Sequence, residues 1–137
     1  MPRFTNAKDL QKYLKKAADA TVAESLIAVQ ARLGSARTSP YDTGRFRSSW
    51  FASEGTPSTE EADVDANSPN TDAEALKPSV DARKTYYLTN NLEYAQYVTV
   101  AGKVVSKPTT WWKDFRESTV PKLQRLAAKT VKEEFDL

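Results

Sequence analysis

Histidine and cysteine are both absent from this sequence. Without histidine the chain has no side chain whose ordinary pKa lies near neutrality, no Ser-His or Cys-His mechanism and none of the usual zinc ligands of that type. Without cysteine it has no disulfide and no thiolate metal site. Only four glycines occur, none in a phosphate-cradling pattern. No apolar run approaches the roughly 20 residues needed to span a bilayer. Met1-Pro2-Arg3-Phe4-Thr5-Asn6 lacks the apolar core of a signal peptide. The chain is therefore expected to be made and kept in a cytoplasm, or assembled from one, with no membrane contact. Hydrophobic residues make up 39%, low enough for part of the chain to stay outside a core.

What is present is unevenly spread. The 137 residues suit one domain with one modest core, and 20 bases against 18 acids give a net charge of +2. Seven of the acids (Glu54, Glu60, Glu61, Asp63, Asp65, Asp72, Glu74) fall in residues 48–76, which hold no base. That stretch is −7, and the rest, with 20 bases and 11 acids, is +9. A basic body carrying an acidic loop suits DNA or an acidic protein surface as partner.

Residues 6–33 carry apolar positions at Leu10, Leu14, Ala17, Thr21/Val22, Leu26, Val29 and Leu33, the spacing of one face of a long helix. Asn6 is placed to cap its start, and Gly34 to end it in the left-handed conformation. Lys8, Lys12, Lys15 and Lys16 lie on or beside the polar face, where lysines are ordinarily solvated; the sharper alternative is a strip that docks on an acidic partner. Residues 48–54 and 84–90 have strand chemistry, the latter closing at the turn signal Asn90-Asn91. Residues 55–79, rich in Ser, Thr, Pro and acid, are expected to form a long flexible loop or hairpin tip. Residues 92–97 suit a short helix, and residues 98–105 a small hairpin turning at Ala101-Gly102 and stopped by Pro108. Thr109 or Thr110 is placed to cap a final helical region starting at Trp111. Pro121 inside it costs about 3 kcal/mol in an unbroken helix, so a kink or restart is expected near Val120. The expected fold is α+β: N- and C-terminal helices on a small antiparallel sheet, one domain over residues 1–137, with the flexible acidic insertion.

Asp42-Thr43-Gly44 has the letters of an aspartic-protease triplet. Such an enzyme shares one proton between two carboxylates, so a chain of this length would have to dimerise. No apolar strand precedes the triplet here, and the adjacent Arg45 would hold Asp42 ionised. The more economical reading is a turn in which Asp42 or Thr43 accepts backbone N–H groups, Gly44 permits a tight bend, and Phe46 or Trp50 enters the core. Arg45 and Arg47 are then left to pair with the acidic loop of a neighbouring copy or with another protein. Glu60, Glu61, Asp63 and Asp65 lack the glycine-centred arrangement of a calcium loop. Tyr86-Tyr87 and Trp111-Trp112 suit base stacking, and more commonly core or interface anchoring.

Two stretches carry a resemblance. Asp42-Thr43-Gly44-Arg45-Phe46-Arg47-Ser48-Ser49-Trp50 follows the long helix, and Leu88-Thr89-Asn90-Asn91-Leu92-Glu93-Tyr94-Ala95-Gln96-Tyr97-Val98 precedes the last one. Paired in this order, they resemble the neck and tail-completion proteins of tailed bacteriophages. In that family an Asp-Thr-Gly-Arg-hydrophobic-Arg-Ser-Ser stretch is followed by an Asn-Asn-hydrophobic-x-Tyr-Ala stretch. The glycine that family members often carry soon after the second stretch, and the apolar-proline segment before the last helix, are matched only loosely by Gly102 and Ser106-Lys107-Pro108. The resemblance implies a non-enzymatic virion component, assembled in the host bacterial cytoplasm, with no metal or other cofactor. It would form a homo-oligomeric ring at the head–tail junction, six-fold rather than twelve-fold, touching neighbouring neck, connector or tail-tube proteins and DNA in the lumen. The residues expected at those interfaces are Asp42, Thr43, Arg45, Arg47, Trp50, Asn90, Asn91, Tyr94, Trp111 and Trp112. The alternatives are a nucleic-acid-binding module and a dimeric aspartic protease using Asp42.

Overall fold

The structure, a computed structural model, describes residues 3–35, 44–95, 99 and 110–137. The expected fold class is the observed one: a long N-terminal helix, a C-terminal helix and a small antiparallel sheet. Helix α1 spans Ala7–Leu33. Asn6 caps it, its side chain accepting the Asp9 N–H at 2.9 Å. Gly34 does end the helix, but right-handed, with φ −77°. Glycine is required there for space: a Cβ would sit 2.7 Å from that of Pro69.

The short helix α2 (Arg45–Ser48) leads into strand β1 (Trp50–Glu54). β1 pairs antiparallel with β2 (Tyr86–Asn90), from Trp50 opposite Asn90 to Glu54 opposite Tyr86. The outer edge of β1 is closed by side chains. Asp72 accepts the Ala52 N–H at 3.0 and 3.2 Å, and Gln30 Nε2 donates to the Trp50 carbonyl at 3.0 Å. Blocking an edge in this way leaves no template there for a foreign strand.

Residues 55–79 are not loop throughout, a correction to the sequence reading. They contain helix α3 (Asp72–Leu76) and a 3₁₀ turn (Lys77–Ser79), and α3 sinks Ala73 to complete burial. Residues 96–98 and 100–109 lie outside the described residues, and with them most of the expected helix and hairpin. Within those two expectations, Leu92 is not helical and Ala95 is, while Thr99 is helical rather than extended. The Leu92 N–H is engaged by the Asn90 side chain at 3.2 Å, which delays the helix start.

The C-terminal region opens with helix α4 (Trp111–Asp114), widens into a π turn over Phe115–Thr119, and continues as helix α5 (Val120–Glu134). Pro121 has no N–H to give to the previous turn, so the helix restarts at Val120 as its sequence predicts. Thr110 precedes α4 without capping it: its hydroxyl donates to Asp114 Oδ2 at 3.0 Å instead. α5 lies on α1, and Leu123, Ala127 and Val131 of α5 and Ala17 of α1 are buried. The alanines let the two helices approach closely. Leu14 is 44% exposed, while its neighbour Tyr13 closes the end, packed edge-on to Phe135, donating to its carbonyl and covered by Phe4 at 5.1 Å. The main core lies at the other end, where Leu33, Phe46, Trp50, Leu92, Ala95, Trp111 and Phe115 meet.

Candidate functional site

The two motif stretches come together in that core. The chain enters the first through Gly44, whose φ of +86° disfavours any side chain and whose missing Cβ leaves room for Asn67. α2 then makes one turn, held by Ser48, whose N–H and hydroxyl both donate to the Gly44 carbonyl at 3.1 and 2.8 Å. The Ser49 hydroxyl donates to the Arg45 carbonyl at 2.7 Å and accepts the Ala62 N–H at 3.3 Å. The consecutive serines thus lock the turn and fasten the acidic segment to it.

The one-turn helix sends its residues in opposite directions. Phe46 is buried, edge-on to Trp50 at 5.7 Å and to Trp111 at 6.4 Å. Arg45 and Arg47 turn toward the acidic segment of their own chain. Arg45 Nε donates to the Ala62 carbonyl at 3.0 Å, and its guanidinium lies 3.7 Å from Glu61. Arg47 donates to the Asn67 carbonyl at 2.9 Å, to the Asn67 side chain at 3.1 Å and to the Gly34 carbonyl at 3.4 Å. The acidic segment they hold is the one the sequence reading had offered them on a neighbouring copy.

The second stretch closes on the first. Asn90 Nδ2 donates to the Phe46 carbonyl at 2.8 Å, while its oxygen holds the Leu92 N–H and so shapes the turn. Asn91 Nδ2 donates to the carbonyls of Ser58 at 2.6 Å and Glu60 at 3.0 Å. Leu92 and Ala95 enter the core, and Tyr94, 38% exposed, lies with its ring 6.4 Å from that of Phe46. Trp112 is half-buried, stacked on Trp50 at 5.5 Å and on Phe115 at 5.9 Å. Of the expected interface residues, then, Trp50 and Trp111 are core, Arg45, Arg47, Asn90 and Asn91 are internal fasteners, and Tyr94 and Trp112 reach the surface. Asp42 and Thr43 lie outside the described residues.

Gln30 and Asp72 were not singled out in the sequence, yet they join three elements. Gln30, 2% exposed, donates to Trp50 O and to the Asp72 carboxylate and accepts the Ala73 N–H at 3.0 Å. Its signal was a polar residue four after Leu26 and three before Leu33, within the apolar stripe.

A second polar cluster ties residues 80–86 to α1. Asp81 is held well below the usual carboxylate range, chiefly by the hydrogen bond from Arg83, and Asp19 is lowered chiefly by Lys15 at 2.9 Å. Glu54, 2.7 Å away, raises the Lys84 ammonium. A groove of about 560 Å³ runs beside it between α1 and β2, walled by Val22, Leu26, Val29 and Leu88. Among the described residues no three Asp or Glu side chains are grouped to hold a metal ion, and no helix is long and apolar enough to cross a membrane. The chain matches no family model, no curated protein and no solved structure.

Proposed function

We propose that the chain is a structural protein of a tailed-phage virion, a neck or tail-completion component that forms a homo-oligomeric ring at the head–tail junction and performs no catalysis. What carries the reading is the pairing of the two motif stretches, which converge on one locus through the Asn90–Phe46 bond and the shared core of Phe46, Trp50, Leu92 and Ala95. The motif positions act as architecture. Gly44, Ser48, Ser49 and Asn90 shape turns, and Arg45, Arg47 and Asn91 pin a long acidic segment across the surface. A protein whose task is to present a fixed surface to neighbours needs such fastening and needs no titrating group. Six-fold closure and contact with connector or tail-tube proteins belong to the same reading.

Electron microscopy of particles assembled without this chain tests it. Separate filled heads and free tails are the expected outcome; joined, normal particles overturn it. A nucleic-acid-binding role is the second reading, favoured by four exposed bases, Lys122, Arg125, Lys129 and Lys132, along α5. It requires steeply salt-dependent DNA retention.

A further inference from the structure

The two most exposed large aliphatic side chains among the described residues are Val64, at 80%, and Leu126, at 50%. Each stands inside a charged patch, and the patches have opposite sign. Val64 projects from the acidic segment between Asp63 and Asp65, with Glu60 and Glu61 just before it. Leu126 lies on the outer side of α5, beside Lys122, Arg125, Lys129 and Lys132. Those four bases recur at steps of three, four and three, which places them on one stripe, turned away from the buried Leu123, Ala127 and Val131 and spanning about 15 Å. Among the described residues no ion pair engages any of the four. The acidic segment is bound to α2 and to Asn91, so it does not fold back onto α5.

The geometry points to a contact between two copies of this chain, in which the acidic segment around Val64 of one copy docks on the basic face of α5 around Leu126 of the next. This rests on the ring reading and adds to it the surfaces that meet. Each patch supplies what the other lacks: an aliphatic centre and a flanking row of charge. Because the patches are different places on one chain, the contact is heterologous, and repeating it closes a ring or extends a filament. Charge complementarity of this kind sets orientation and partner choice, and salt weakens it. A nucleic acid fits the stripe less well. Glu133, Glu134 and Asp136 stand at its C-terminal end, the chain is only +2 in total, and the acidic segment would repel phosphate.

Charge exchange tests the pairing. One variant carries Lys122→Glu, Arg125→Glu, Lys129→Glu and Lys132→Glu. The other carries Glu60→Lys, Asp63→Lys and Asp65→Lys, sparing Glu61 because it pairs with Arg45. Sedimentation velocity at low salt should show wild type associating, each variant alone weakened at least tenfold, and an equal mixture of the two regaining the wild-type assembly. Misfolding cannot produce rescue on mixing, and unchanged far-ultraviolet circular dichroism checks each variant alone. Separately, Val64→Ser should weaken wild-type association without altering the fold. The inference is overturned if wild type does not associate, if either variant alone assembles normally, or if the mixture stays apart. Loss of DNA retention in the α5 variant with no rescue on mixing would reassign the stripe to nucleic acid. The ring reading itself fails on a different result: normally joined particles in the absence of the chain.

Discussion

The aromatic locus around Phe46 and the acidic segment that crosses it are held to the same body by opposite means. At the locus, Phe46, Trp50, Trp111 and Phe115 bury their rings against one another, and no single contact is decisive. Over residues 55–71 no side chain is fully buried. That stretch is fixed instead at a few points, where Arg45, Arg47, Ser49 and Asn91 bond to its backbone. Apolar burial is non-directional and spreads its stabilisation over many neighbours. Fastening by individual hydrogen bonds is local, so the segment can be released while the body stays folded.

The largest effect expected of that contrast is at Phe46. Phe46→Ala should cost about 3–5 kcal/mol of global stability, read from urea unfolding, because a cavity opens among rings that cannot collapse. A near-wild-type midpoint would show that the locus is not the core. Gln30→Ala comes next. It strands the Ala73 N–H and the Trp50 carbonyl in the interior and should cost about 1–3 kcal/mol. Gln30→Glu should not restore it, since a carboxylate cannot donate to Trp50. Asn91→Ala is expected to cost only about 1 kcal/mol globally, yet to speed amide exchange selectively in residues 58–62. Uniform acceleration along the chain would erase the distinction between the two regions.

The smallest effect is on pH. Asp19 and Asp81 titrate below the ordinary aspartate value of 3.8 in the folded chain. Their contribution is therefore complete above that value and is lost as pH falls through the lower folded ones. Lys77 and Lys84 are raised above 10.5, so theirs is complete below it and is lost as pH climbs past it. The lysines are exposed and the aspartates partly so, so thermal melts should move little, less still at high salt, and only at the acid and alkaline extremes. A loss of stability centred near neutrality would contradict the assignment.

Reading the sequence recovers elements whose signal is local. The Asn6 cap, the strand chemistry of both strands and the restart before Pro121 are set by residues within one turn of where they act. It does worse where a neighbour decides. Leu14 keeps the apolar period of α1 but is 44% exposed, because the neighbouring Tyr13 takes the contact with Phe135 and periodicity does not report which of the two a partner covers. Gly34 stops α1, but its reason is Pro69, 35 positions away. The acidic segment has the composition of a loop, and its anchors are the side chains of Arg45, Arg47 and Asn91, whose targets are backbone carbonyls that no composition reveals. At the site, the turn at Gly44 and an aromatic entering the core from Phe46 or Trp50 were legible, while Trp50, expected at an interface, is core. The direction of the two arginines was not, since a charged residue in a turn looks the same whether it faces a neighbour or its own chain.

The π turn at Phe115–Thr119 has a consequence for how the C-terminal rod is indexed. A helix advances roughly 100° with each residue, and the wide turn absorbs one residue before Pro121 lets the regular winding resume. Trp111 and Phe115 on one side of this joint, and Leu123, Ala127 and Val131 on the other, are thereby brought into rotational phase with two different partners, the aromatic locus and α1. Excising a single residue from the joint would leave every local preference intact and swing α5 about a quarter-turn, carrying its three buried anchors off α1.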